Sequence, residues 1–120
     1  MLVVDDSPFF RRGLVRAVQS HAGLELVGEA ETGAGALEAI ARTRPDVVLL
    51  DLRMPDCDGL TVLERLHANG TPPPCRVVIV SATLDDEVER AALAAGASAC
   101  LGKERSPAEI CATALRLARE

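Results

Sequence analysis

Aromatic residues are nearly missing from this chain of 120 residues: tryptophan and tyrosine are absent, and the only phenylalanines are Phe9 and Phe10, close to the start. No later segment can present a Phe, Tyr or Trp ring. Cysteine pairing motifs are missing as well. Cys57, Cys75, Cys100 and Cys111 are scattered without a C-x-x-C spacing, which argues against a structural zinc site or a thioredoxin-like redox motif and for reduced thiols. No apolar run approaches the roughly 18 residues that a membrane span requires. Met1-Leu2-Val3-Val4 runs directly into Asp5-Asp6, with neither the basic region nor the small-residue cleavage site of a signal peptide. The expected location is therefore the cytoplasm. An excess of positive charge is also lacking. A formal net charge of −5 argues against a surface that grips nucleic acid, which needs a basic patch.

What is present fits one ordinary domain over residues 1–120. The chain is 48% hydrophobic and 26% charged, within the range of globular proteins, and it is long enough to bury a single core. Short apolar runs alternate five times with longer amphipathic ones, the pattern of a parallel sheet with helices on both faces. The strand candidates Leu2 to Val4, Val47 to Leu50 and Val77 to Val80 are continuously apolar, as strands buried on both faces should be. Leu24 to Ala30 and Ala97 to Leu101 are weaker. The intervening periodicity predicts helices over Pro8 to His21, Gly35 to Thr43, Gly59 to Asn69, Asp85 to Ala95 and Pro107 to Arg119. Ser7-Pro8 and Ser106-Pro107 each supply a capping hydroxyl followed by proline in the first turn. Pro45, Gly70 through Pro74 and Gly96 stop the other helices, and Thr71-Pro72-Pro73-Pro74 reads as a stiff surface turn.

A sheet of this kind binds ligands outside the carboxyl ends of its strands. The residues there are Asp5 and Asp6 after the first strand, Asp51 after the third, Ser81 at the end of the fourth, and Lys103 shortly after the fifth. Taken singly, each has an ordinary reading as a helix cap, a strand-end carboxylate, a turn hydroxyl or a solvated lysine. Ser7 already fills the cap, which leaves Asp5 and Asp6 without an evident structural role. Clustered carboxylates repel one another unless a cation is present, and an all-oxygen set suits magnesium, or manganese, over zinc.

In order and spacing, Val3-Val4-Asp5-Asp6-Ser7, Pro45 through Asp51-Leu52-Arg53-Met54-Pro55-Asp56-Cys57-Asp58-Gly59, Val77 through Ser81-Ala82 and Leu101-Gly102-Lys103 resemble the receiver domain of bacterial two-component response regulators, over nearly the full chain. The resemblance implies a flavodoxin-like (βα)5 α/β fold, a doubly wound parallel sheet with strand order 2-1-3-4-5. It implies that Asp51 accepts a phosphoryl group from a sensor histidine kinase. It further implies that Asp6, Asp51 and the Arg53 carbonyl hold Mg2+, with Asp5 supporting the metal through water, and that Ser81 and Lys103 contact the phosphoryl oxygens after transfer. Such a module is a signalling switch and not a conventional enzyme, although it catalyses its own phosphoryl transfer and slow autodephosphorylation. Pro55 and Gly59 shape the loop after Asp51, and Arg53 and Thr83 flank the acceptor.

Pro8 through Leu14 and Lys103 through Pro107 look most like the NarL/FixJ subfamily, whose members usually carry a C-terminal helix-turn-helix DNA-binding domain. The chain stops at Glu120, near the expected end of the fifth helix, so it reads either as a stand-alone protein or as an excised receiver. The short stretch before Asp5 suggests that part of the first strand precedes it. DNA contact is expected only through such a further domain, and a homodimer is left open. Two positions depart from the pattern. Cys100 stands where receivers usually place an aromatic residue that rotates inward on activation, and it reads as a small apolar filler. Glu104 replaces the proline that often follows the lysine, removing the usual reason to expect a cis bond there. A haloacid-dehalogenase phosphatase would need a second acid where Arg53 stands, and Asp5-Asp6 would repel the phosphate of a flavodoxin-type cofactor. The remaining rival is a pseudo-receiver, a binding or dimerisation module of the same fold that does not use phosphorylation.

Overall fold

The computed structural model describes residues 1–67 and 75–120. Among these residues, five strands and five helices alternate: β1 (Leu2–Val4), α1 (Pro8–Gln19), β2 (Gly28–Ala30), α2 (Gly33–Thr43), β3 (Val47–Leu50), α3 (Gly59–Leu66), β4 (Arg76–Ser81), α4 (Asp86–Ala94), β5 (Ala99–Gly102) and α5 (Pro107–Ala118). All strand pairs are parallel, and the sheet order is β2-β1-β3-β4-β5. The chain therefore winds one way from β1 to β2 and the other way from β3 onward, and the reversal falls between β1 and β3. That is where a doubly wound sheet opens a crevice at its strand ends.

The strands are apolar on both sides because both sides are covered. Leu2, Val4, Val48, Leu50, Val77 and Ile79 face one core cluster, closed by Ala36, Ala39 and Ile40 of α2, Val62 and Leu63 of α3, and Ala92 of α4. Val3, Val47, Leu49, Val78 and Val80 face the other, closed by Leu14 and Val18 of α1 and by Ile110, Cys111, Ala114 and Leu117 of α5. The alternation of neighbours between the two clusters is the period of two that a strand imposes.

The helix starts follow their capping residues. Ser7, Thr32, Asp58, Asp85 and Ser106 each accept a backbone N–H from the first turn. Thr32 moves the start of α2 two residues ahead of the periodicity, to Gly33. The second strand is shorter than its apolar run predicts. Only Gly28–Ala30 pairs regularly with β1, while Leu24 and Leu26 pack against the α1–α5 cluster from outside the ladder. Helix α1 ends at Gln19 with Ser20 as its cap, two residues early. Strand β5 is displaced two residues toward the C-terminus at its start, to Ala99–Gly102. Gly96, after α4, takes φ +109°, a left-handed conformation that glycine adopts without strain. The predicted end of α3 at Asn69 and the proline-rich turn through Pro74 lie outside the described residues. Among those described, no helix is long and apolar enough to cross a membrane.

Candidate functional site

Sheet register brings the acidic residues together. Val4 lies opposite Leu50, so the next residue on each strand, Asp5 on one and Asp51 on the other, leaves the sheet side by side, and the Asp51 amide donates to the Val4 carbonyl at 3.0 Å. On the other flank Ser81 lies opposite Gly102, and the Lys103 amide donates to the Ser81 carbonyl at 2.9 Å.

One carboxylate oxygen from each of Asp5, Asp6 and Asp51 falls within 4.8 Å of the others. Asp5 and Asp51 are buried and Asp6 is exposed. The Lys103 ammonium reaches into this group, 2.8 Å from Asp5 Oδ2 and 3.5 Å from Asp51 Oδ2. Two of the three acids thus share one cation, and the imbalance appears in Asp51. Burial, then the charge of Asp5, then a hydrogen bond with Asp6 lift its pKa from 3.8 to about 6, against the lowering pull of Lys103 and the Arg53 N–H. An all-oxygen cluster with excess negative charge fits a hard divalent cation such as Mg2+.

Asp5 has a structural role that its sequence position did not reveal. Its Oδ1 accepts the Ser7 amide at 2.8 Å, turning the chain from β1 into α1, while its other oxygen holds Lys103. Asp51 Oδ1 accepts the Arg53 amide at 3.5 Å, so the loop after the strand folds back over its own carboxylate. Gly59 explains how tightly that loop closes. Its amide donates to the Leu52 carbonyl at 2.8 Å, and a Cβ there would lie 2.6 Å from the Asp51 carbonyl oxygen. Arg53 and Pro55 lie exposed in the same loop. The buried Ser81 hydroxyl accepts the Thr83 amide at 3.2 Å, which shapes the turn leaving β4.

Cys100 is half-buried on β5, packed against the core cluster covered by α2, α3 and α4. Burial, followed by the charge of Glu89, pushes its thiol up to about 11. All four cysteines are free thiols.

Three residues given no role in the site from the sequence also shape it. Asp56 accepts the amides of Gly33 at 2.8 Å and Ala34 at 2.9 Å, tying the loop after Asp51 to the start of α2. Those N–H donors, with further backbone bonds, hold its carboxyl below the usual range. Its partners are more than twenty residues away in sequence, so no local pattern announces the contact. Arg11 donates from Nη1 to the Asp5 carbonyl at 2.7 Å and pairs through Nε with Glu29 at 3.2 Å. The Phe10 ring lies under Lys103, with the ammonium 4.5 Å from its centroid. Here a signal existed: Phe10, Leu14 and Val18 recur at the four-residue spacing of one helix face.

Known proteins resemble this chain in sequence and fold. Residues 1–115 match the family model of the response regulator receiver domain. The chain is 47% identical over 104 residues to protein-glutamate methylesterase/protein-glutamine glutaminase 5 of Myxococcus xanthus, covering 86% of this chain and 29% of that protein. It is 40% identical over 119 residues to the probable transcriptional regulatory protein NarL of Mycobacterium tuberculosis, covering 99% of this chain and 54% of that protein. The solved signal receiver domain of NarL from the same organism superimposes with a TM-score of 0.91 at 40% identity, covering 98% of this chain and 94% of that one. The chain spans about half or less of the length of these curated relatives.

Proposed function

The chain belongs to the response regulator receiver domain family, and from that premise we propose that Asp51 is its phosphoryl acceptor, charged by a sensor histidine kinase in the cytoplasm. The observation that carries the reading is the cluster of Asp5, Asp6 and Asp51 oxygens within 4.8 Å, with Lys103 paired into it.

In the proposed transfer, an Asp51 carboxylate oxygen attacks phosphorus in line. The P–N bond to the donor imidazole breaks as the P–O bond forms, and the leaving nitrogen takes up a proton. The acceptor is a weak nucleophile facing an anionic donor, so charge must be offset locally. Asp6, Asp51 and the Arg53 carbonyl would hold Mg2+, with Asp5 supporting it through water, and the ion supplies charge neutralisation and alignment of the reacting oxygens. Lys103 then turns from its carboxylate partners to the new phosphoryl oxygens, a charge-assisted contact. Ser81 releases the Thr83 amide and donates its hydroxyl to the phosphoryl group. That exchange moves the turn after β4 and the start of α4, shifting an equilibrium between two surfaces. The chain is thereby a switch that catalyses its own modification and slow dephosphorylation and not a conventional enzyme.

The likeness to NarL favours transcriptional output through an attached DNA-binding domain. The likeness to the M. xanthus methylesterase favours a second reading, in which the same module controls an attached enzyme. Dimerisation through the switched surface serves either output. Intact mass after incubation with phosphoramidate or acetyl phosphate, with and without magnesium, tests the acceptor. A single magnesium-dependent phosphoryl addition that disappears in Asp51→Asn is expected. Addition retained in that variant, or none in folded wild-type protein, refutes the assignment, and the second result favours a pseudo-receiver.

A further inference from the structure

The thirteen basic residues comprise twelve arginines and a single lysine, Lys103. Its side chain is 17% exposed and, among the described residues, its ammonium has three partners: Asp5 Oδ2 at 2.8 Å, Asp51 Oδ2 at 3.5 Å and the Phe10 ring at 4.5 Å. Two of these are carboxylates whose availability to Lys103 the proposed reaction alters, because Asp51 is modified and both belong to the cluster that would share a divalent cation. The ring is the one partner whose interaction does not depend on that charge. On the solvent side the ammonium borders a cleft of about 400 Å3, lined by Phe9, Phe10, Arg12, Arg16 and Arg105 among others. Those arginines repel a cation and offer it no alternative anchor.

Helix α1 fixes the ring where it is needed. Pro8 opens the helix, the Phe10 amide donates to the Ser7 hydroxyl at 3.4 Å, and Phe10 packs against the cluster that contains Leu14. Its neighbour Phe9 remains 87% exposed.

We propose that Phe10 is a positioning residue for Lys103: its face holds the ammonium at the acceptor pocket while the acidic partners change charge, so that the cation is in place for the transferred phosphoryl group. This rests on the reading of Asp51 as the acceptor. A lysine on a flexible stem otherwise loses its geometry whenever Asp5 and Asp51 are drawn to another cation.

Protein labelled with 13C- and 15N-lysine contains one lysine spin system, and its spectrum tests the contact without any variant. The ε-methylene protons should lie upfield of free lysine through the ring current, return to the free position in Phe10→Leu, and stay upfield in Phe10→Tyr. Phosphoryl addition from phosphoramidate with magnesium, followed by intact mass, should be about threefold slower in Phe10→Leu, given the strength of a partly exposed cation–π contact. Phe10→Tyr should keep the wild-type rate. An unshifted lysine signal in the wild type, a wild-type rate in Phe10→Leu, or a Phe10→Tyr variant as slow as Phe10→Leu would overturn the role of Phe10 alone. Absence of any addition in the wild type would overturn the acceptor reading and the role of Phe10 with it.

Discussion

Replacing Asp51 with asparagine should stabilise the metal-free protein, and the gain should grow with pH. Asp51 is 5% exposed, and burial together with the Asp5 charge lifts its pKa from 3.8 to about 6. A folded-state pKa above the unfolded value means that the folded protein binds this proton more tightly. The associated stability is complete below about pH 4 and is lost as pH rises through about 6. A shift of about two units, at about 1.4 kcal/mol per unit, makes the ionised carboxylate a cost of about 3 kcal/mol at pH 7.5 and about 1 kcal/mol at pH 4.5. Asparagine keeps the shape and carries no charge at either pH, while Lys103 retains Asp5 at 2.8 Å. Urea unfolding with a chelator present, followed by far-UV circular dichroism because the chain has no tryptophan, measures the difference directly. Asp51→Asn should exceed wild type by about 1 kcal/mol at pH 4.5 and about 3 kcal/mol at pH 7.5. Saturating magnesium should narrow the gap at pH 7.5, since the cation stabilises the wild-type cluster by mass action. An equal difference at both pH values, or a variant less stable than wild type at pH 7.5, refutes the electrostatic account.

Gly59→Ala places a methyl 2.6 Å from the Asp51 carbonyl; backbone must yield, and a loss of about 1–3 kcal/mol in urea unfolding is expected, with weaker magnesium binding by calorimetry. Unchanged stability would show that the loop has room. Asp56→Ala removes the acceptor of the Gly33 and Ala34 amides, so those two should exchange hydrogen faster while the β3 amides stay protected. Exchange at the wild-type rate would refute the clamp. Leu49→Ala, at the centre of the sheet and 1% exposed, should cost about 2–5 kcal/mol without abolishing phosphoryl addition in the folded fraction.

The fold was legible where burial alone decides secondary structure. β1, β3 and most of β4 are continuous apolar runs covered on both faces, and no other element type fits runs so short. β2 was overextended because Leu24 and Leu26 are apolar for a different reason: they pack under the sheet edge without joining the ladder. The caps were legible wherever serine precedes proline, whereas Thr32 was passed over because the apolar periodicity of α2 begins after it. Asp5, Asp6, Asp51, Ser81 and Lys103 could be found from the strand-end rule, but their mutual distances come from register, which no local pattern fixes. The same limit hid Asp56, whose contacts join loops far apart in sequence, and the meeting of Phe10 with Lys103 across more than ninety residues.

The hydrogen bond from the Lys103 amide to the Ser81 carbonyl has a consequence for protein engineering. The two groups on that flank of the pocket spring from one rung of the sheet, so peptide geometry, and not the length of either following loop, sets the separation of their backbones. Replacing residues 82–84 or 104–105 with segments of other lengths, with the Ser106 cap left in place, should therefore keep the spacing of the rung while changing the output or partner surface.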